Sequence, residues 1–567
     1  MRTHVTLVMF QAVAVYTSQG LIQDMLTSLA KQNEVNCSSN SQSDLYEESS
    51  LNANGVEKLL DCPGVDINHV DEYMGETPLH AACHMGDPEI VRVLLSRPDI
   101  DVNAVDDDGM TPLMIVVCDE FDLEIVRLLL GRPDVDINRV APETGETALL
   151  TAFCLGADSI TTDIVREILA YPGVDVAAVD SVGRSALYMA AEQAGGAEIV
   201  GMLLQRPETE VNAAKFSYGD TPLWIASFRG NAGNVKLLLG HPDIDVNRVT
   251  DESRGGTSPL LMACQEGHAE VVRLLLAHPD TDVNLATTDE GFTPLMAASL
   301  HPDVVQQLLA HPDLDVNQGR LGSGGTALHL LASEDGGEAN AKVAELLLAH
   351  PDVDVNLGRS DGTTALWLAA FVGNRGIVKR LLDHPGIDVN KAKEDGVTPL
   401  HAACHAGGGD PATQAEIVRL LLSHPDTDVN RPATARGNTP LMTASMYHRN
   451  EVVRLLLRCP RVDLDARDKG FAGTADYYAE YNPNNVDLET ALQTLVILHS
   501  RQTLVESEPP TCDPVPGSHK ESPSGSSYHS STSSSLSVSS SACSLTMFSV
   551  LQLLNPFLSL MILAKKH

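Results

Sequence analysis

One proline, returning at a near-constant interval, constrains this chain more than any other feature. It stands at Pro63, Pro98, Pro133, Pro172, Pro207, Pro242, Pro279, Pro312, Pro351, Pro385, Pro425 and Pro460, at steps of 33 to 40 residues. A second mark keeps pace with it: "TPLH" at 77 and 398, "TPLM" at 111, 293 and 439, and "TPLW" at 221. Looser copies are "TALL" at 147, "SALY" at 185, "SPLL" at 258, "TALH" at 326, "TALW" at 364 and "TADY" at 474. Together they make twelve units. A period of this size marks an array in which each unit is too small to bury its own apolar face and stacks on its neighbours. The length of 567 residues agrees, being far more than one hydrophobic core serves.

A single unit can be read physically from "GMTPLMIVVCDEFDLEIVRLLLGRPDVDIN", residues 109–138. The Thr111 hydroxyl suits a helix cap, and Pro112 suits the first helical turn, where no amide bond is lost. A second helix follows, with Ile125, Val126, Leu128, Leu129 and Leu130 forming an apolar face at helical spacing. In other units Gly86, Gly230, Gly267 or Gly373 separates the two helices, as a C-terminal stop does. Pro133 ends the second helix, because the residue before a proline is pushed out of the helical region. A polar, Gly-containing turn then leads to the next Thr-Pro.

This unit resembles the ankyrin repeat, whose "T-P-L-H-x-A" signature is matched at 77–82 and 398–403. The resemblance covers residues 50–500. It implies an all-α ankyrin-repeat α-solenoid, with helix–turn–helix units joined by β-hairpin-like fingers, and a disordered tail. The units run longer than the family's usual ~33 residues. Junctions of the "HPDVDVN" type and fingers such as "RVTDESRGGTSP" and "RVAPETGETA" supply the extra length.

The junctions pose a chemical question, since Asp99, Asp101 and Asn103 have the D-x-D-x-N spacing that opens an EF-hand calcium loop. That loop also needs Gly at its sixth place and a bidentate Glu at its twelfth. Here those places hold Ala104 and Met110. The intervening Ile and Val read as core contacts, and the acids as solubilising turn residues that bond local backbone. No metal or cofactor is expected. Ten cysteines show no C-x-x-C spacing. Cys83, Cys264 and Cys404 occupy equivalent places in their units and read as buried reduced thiols.

The ends differ in composition. Residues 1–49 hold an apolar run from Val5 to Tyr16 and then a polar segment. The run reads as a secretory signal, as a helix on the first repeat or as a disordered lead. Residues 501–543 are Pro- and then Ser-rich, which predicts disorder. Residues 544–567 include the apolar stretch Leu545–Ala564, 20 residues long, enough to cross a bilayer. A tail anchor, a removed lipid-anchor signal and a protein-packed helix are its three readings, with the tail anchor favoured.

The formal net charge of −38 argues against nucleic-acid binding, which needs clustered Lys and Arg, and against docking on anionic lipid. It fits neutral or basic protein partners. The expected function is a non-catalytic scaffold or adaptor, cytoplasmic and monomeric, with attachment to a membrane by the tail or display on the cell surface as alternatives. Twelve units at helix spacings of ~8–10 Å would extend on the order of 100 Å. Family resemblance places partner contacts on the inner helix face and the fingertips. The inner-face candidates are Phe228, Phe371, Met446 and Tyr447; the fingertip candidates are Tyr73, Phe216, Tyr218 and Phe292. Aromatics are only 4% of the chain, so those on the surface are natural anchors.

No G-x-G-x-x-G, P-loop or H-E-x-x-H string occurs, and no enzyme activity is expected. The histidines have structural readings. His241, His278, His311, His350, His384 and His424 sit at helix C-termini, while the resemblance makes His80, His329 and His401 bond to neighbouring turns. A third functional class is a substrate for modification. "LGHPDIDVN" and "LAHPDTDVN" resemble the target of an asparaginyl hydroxylase, with Asn103, Asn247, Asn284, Asn317, Asn356, Asn390 and Asn430 as candidates.

Overall fold

A Thr or Ser followed by Pro or Ala starts the first helix of every unit. In the computed structural model these helices are Pro78–Met85, Pro112–Cys118, Ala148–Thr151, Ala186–Glu192, Pro222–Arg229 and Pro259–Glu266. They continue with Pro294–Ala297, Ala327–Ser333, Ala365–Val372, Pro399–Cys404, Pro440–Met446 and Ala475–Glu480. The described residues run from 53 to 480, apart from 62–65, 72, 119–122, 154–158, 217, 335–336, 406–409, 434–435 and 471–472, and include Thr494, Ile497 and Leu498. They fall in one unit of the chain, Met1–Pro514; the other, Val515–His567, lies outside them. The expectations for the N-terminal lead, the Ser/Pro-rich segment and the apolar C-terminal segment therefore fall outside the described residues. Among the described residues no helix is long and apolar enough to cross a membrane.

The caps behave as the residue types dictate. Thr221 accepts a hydrogen bond from the Trp224 amide (3.1 Å) and Thr293 from the Met296 amide (3.2 Å). Gly230 ends its helix with φ 74°, and a Cβ there would meet the His268 ring at 2.6 Å, so both conformation and space demand glycine.

Second helices, such as Pro88–Leu95, Leu123–Leu130, Ala269–Leu276 and Arg375–Leu382, bury one face. The pattern is constant: Ile90, Val91 and Leu94 in one, Ile125, Val126 and Leu129 in the next, Val271, Val272 and Leu275 further on. Each buried aliphatic side chain contributes about 1.5–3 kcal/mol. First helices are buried almost all round, as Leu79 to Cys83 are, because they lie between their own second helix and the first helices on either side. First helices stack on first and second on second, giving the all-α solenoid.

The fingers are tight turns with little strand. Among the described residues only two isolated bridges form, Val179 with Ser185 and Gly358 with Thr364. Instead one backbone bond ties most tips to the next, as Asp107 N–H donates to Met74 O (2.9 Å) and Thr288 N–H to Gly255 O (2.8 Å). Cys83, Cys264 and Cys404 are buried free thiols, as read; Cys459 departs from that reading in being disulfide-bonded.

Candidate functional site

Two columns run along the solenoid, one at the junctions and one at the ends of the first helices. At the junctions the acids do bond local backbone: Asp101 accepts from the Asn103 amide at 3.0 Å, and Asp315 from the Asn317 amide at 3.0 Å. The asparagine reaches further than its own turn. Asn103 Nδ2 donates to Asp134 O (2.7 Å), and Asn103 Oδ1 accepts from the Asp136 amide (2.7 Å), so one side chain closes two backbone groups of the next junction. Asn247, Asn284, Asn317, Asn356, Asn390 and Asn430 repeat the pair of bonds at 2.6–2.9 Å. Asn68, Asn138 and Asn212 do the same. Both polar atoms of every hydroxylation candidate are thus engaged. The ladder skips one rung, where Ala177 replaces the asparagine.

The first-helix histidines also join units. His80 Nδ1 accepts from the Thr77 amide (3.1 Å), which leaves Nε2–H to donate to Met110 O in the next unit (3.1 Å). His329 and His401 reach Thr363 O (2.9 Å) and Asn438 O (3.0 Å) in the same way. Burial lowers the affinity of all three for a proton, and His329 is brought down to about 4. The junction histidines accept as well: His241 Nδ1 takes the Asp243 amide at 3.2 Å.

The second column begins seven residues after each unit's Thr or Ser. It reads His84, Cys118, Cys154, Glu192, Phe228, Gln265, Leu300, Ser333, Phe371, His405, Met446 and Tyr481. Phe371 stacks on Trp367 (centroids 5.2 Å apart, 16° between planes), and its other side meets His405 at 5.8 Å. His405 then meets Tyr447 at 4.2 Å, so one aromatic strip crosses three consecutive units. These rings and Met446 are half-buried. His405 Nδ1 and Trp367 Nε1 are buried without a hydrogen-bond partner. Burial, and then the charge of Arg449, lowers the proton affinity of His405.

A second cluster forms around Phe228, which stacks on Trp224 at 5.5 Å. The Arg254 guanidinium lies 5.6 Å from the Trp224 ring and 4.1 Å from that of Tyr218, linking fingertip to helix end. Phe292 is half-buried, with Arg320 5.7 Å from its ring, and joins neither group. Tyr73 (87% exposed) and Phe216 (69% exposed) project at other fingertips. Sequence reading placed Trp224 and Trp367 beneath Phe228 and Phe371, where they stack, but missed His405. The seven-residue step from each Thr was the signal that would have found His405.

Constant helices and junctions carrying a variable inner column define a repeat solenoid of the protein-binding kind. The family model described as ankyrin repeats (three copies) matches residues 48–141, 116–215, 155–250, 223–320, 299–393 and 390–468, and the chain belongs to the ankyrin-repeat family. Among solved structures it is similar to the ankyrin repeat domain of Bcl-3, described as a unique member of the IkappaB protein family. That match has 26% identity, a TM-score of 0.34, and covers 40% of this chain and 94% of that one. No curated protein matches the chain.

Proposed function

We propose that the protein is a non-catalytic, monomeric scaffold that binds partner proteins along residues 50–500, through the inner helix ends and the fingertips. Ankyrin repeats are in general protein–protein interaction modules, and the family supplies that much. The observation that supports a site on this chain is the strip Trp367–Phe371–His405–Tyr447, a continuous run of half-buried rings on an aromatic-poor protein. Amphipathic rings of this kind give a partner a large apolar contact and a polar handle together.

The test is capture of partners by the full-length chain, identification by mass spectrometry, and titration of the purified partner against Phe371→Ala and Tyr447→Ala. The expected loss is about 2 kcal/mol or more, roughly thirtyfold in Kd, with a nearly unchanged melting curve. A double variant that melts normally and binds at full strength removes the strip from the interface and leaves Tyr73 and Phe216 as the candidates.

A further inference from the structure

A cavity of about 510 Å³ opens among the third, fourth and fifth units, and its chemistry is unlike that of the aromatic strip. The first helix of the third unit, Ala148–Thr151, has only 4 residues, against 7 in Ala186–Glu192 and 8 in Pro222–Arg229. Leu150, Phe153 and Met189 lie beneath the cavity and are almost wholly buried, so its surface is mostly polar. The cations at the cavity are already engaged: Arg229 lies 2.6 Å from Glu192, and Arg184 lies 2.6 Å from the buried carboxylate of Asp180. Glu146, half-buried on the same lining, makes no ion pair among the described residues.

Its counterparts in other units are closed. Glu76, directly before Thr77, pairs with His84 at 3.2 Å, and Asp220, before Thr221, faces Arg254 at 3.7 Å. His84 stands seven residues beyond Thr77, whereas the same step from Thr147 falls in the sequence on a cysteine. Burial pushes the Glu146 carboxyl above its usual range, more than the nearby Arg184 charge offsets and with Asp180 adding to the rise. A cation brought to it from outside relieves that cost.

We propose that this cavity takes the charged head of a lysine or arginine side chain from a partner protein on Glu146. Such a cationic, hydrogen-bond-donating head matches a mostly polar lining that holds one carboxylate without an ion pair among the described residues. The formal balance agrees. Glu146, Glu192 and Asp180 stand against Arg184 and Arg229, leaving one negative charge, on a chain of net charge −38. The inference rests on the scaffold reading and adds the chemistry of one partner residue.

The experiment is selection of a random dodecapeptide library on the immobilised full-length protein, followed by titration of the enriched peptides. Peptides with Lys or Arg at one fixed position are expected, with affinity reduced roughly tenfold or more by Glu146→Gln. Gln193→Lys, which places an internal cation on the same lining, should cause the same loss and serves if Glu146→Gln melts abnormally. Enriched peptides without a fixed basic residue, or ones that both variants bind as tightly as the parent chain does, overturn the cavity assignment and leave the scaffold reading standing. Enrichment of no peptide above bare resin overturns both.

Discussion

The junction column and the helix-end column run through the same repeats, yet the first hardly changes and the second changes at nearly every unit. The reason lies in what each position has to do. At the junction the asparagine bonds two backbone groups of the next unit, so replacing it leaves a donor and an acceptor without their partners. At the helix end, burial is already complete one residue earlier: Leu79 to Cys83 are buried, while the His84 side chain keeps 22% exposure. Nothing in the stacking dictates that residue. One column therefore holds the units together, and the other is available for a partner to read. The difference teaches that the periodic positions should govern stability and the aperiodic ones affinity.

The largest expected effect sharpens the stability half of that comparison. His329 is buried and bridges two units as a neutral ring, its proton affinity lowered by burial and then by the Arg359 charge to about 4, from an ordinary 6.5. As pH falls, the unfolded chain takes a proton near 6.5 while the folded ring resists until about 4. The stability it contributes is therefore complete above 6.5 and is lost through that window. The loss amounts to about 3 kcal/mol. His80 and His401 shift in the same direction. Melting curves between pH 7 and pH 4.5 should fall more steeply for the parent chain than for His329→Gln. Parallel pH profiles would break the assignment of this column to stability.

A smaller effect is expected at a single rung. Asn317 joins Asp352 O at 2.7 Å and the Asp354 amide at 2.8 Å. Asn317→Ala should cost about 1–2 kcal/mol in denaturant unfolding, both bonds being reachable by water once broken. Asn317→Asp, which sets a carboxylate oxygen against the Asp352 carbonyl, should cost no less. If the alanine variant unfolds at the parent denaturant concentration, the ladder is decoration and the comparison fails on its constant side.

Much of this architecture was legible in the sequence, because its signals are local. Thr-Pro steps mark helix starts, and Ile125, Val126 and Leu129 read as an apolar face and are buried. Val102, Val246 and Val283 at the junctions also read as core and are 2–3% exposed. What escaped depends on contacts between units. The asparagine rungs join residues 29 to 38 apart in sequence, a separation that varies with each finger, so only their local half was visible. The aromatic strip hid because His405 belongs to it by register and not by residue type. The cavity at Glu146 hid because its lining comes from three successive units and is set by their stacking.

The smallest effect, and the most direct repair of the comparison, is at Ala177. The turn there is already built: the Ala177 amide donates to Asp175 at 2.9 Å, as the Asn103 amide does to Asp101. By register the next junction offers Glu208 O and the Glu210 amide, which has no hydrogen-bond partner among the described residues. Ala177 is exposed, so an asparagine there displaces no core atom. Ala177→Asn should therefore add the missing rung and stabilise the fourth unit by about 1 kcal/mol. In a stacked array each unit's stability is partly its own, and a whole-chain melt dilutes a change at one interface. Hydrogen exchange at the Glu210 amide reports it directly, with roughly fivefold slowing expected for that gain. The same substitution should leave peptide binding at the Glu146 cavity unchanged, since it alters the junction column alone. Unchanged exchange at Glu210 would show that the ladder's bonds merely accompany the stacking, and stability would then have to be assigned to the helices by themselves.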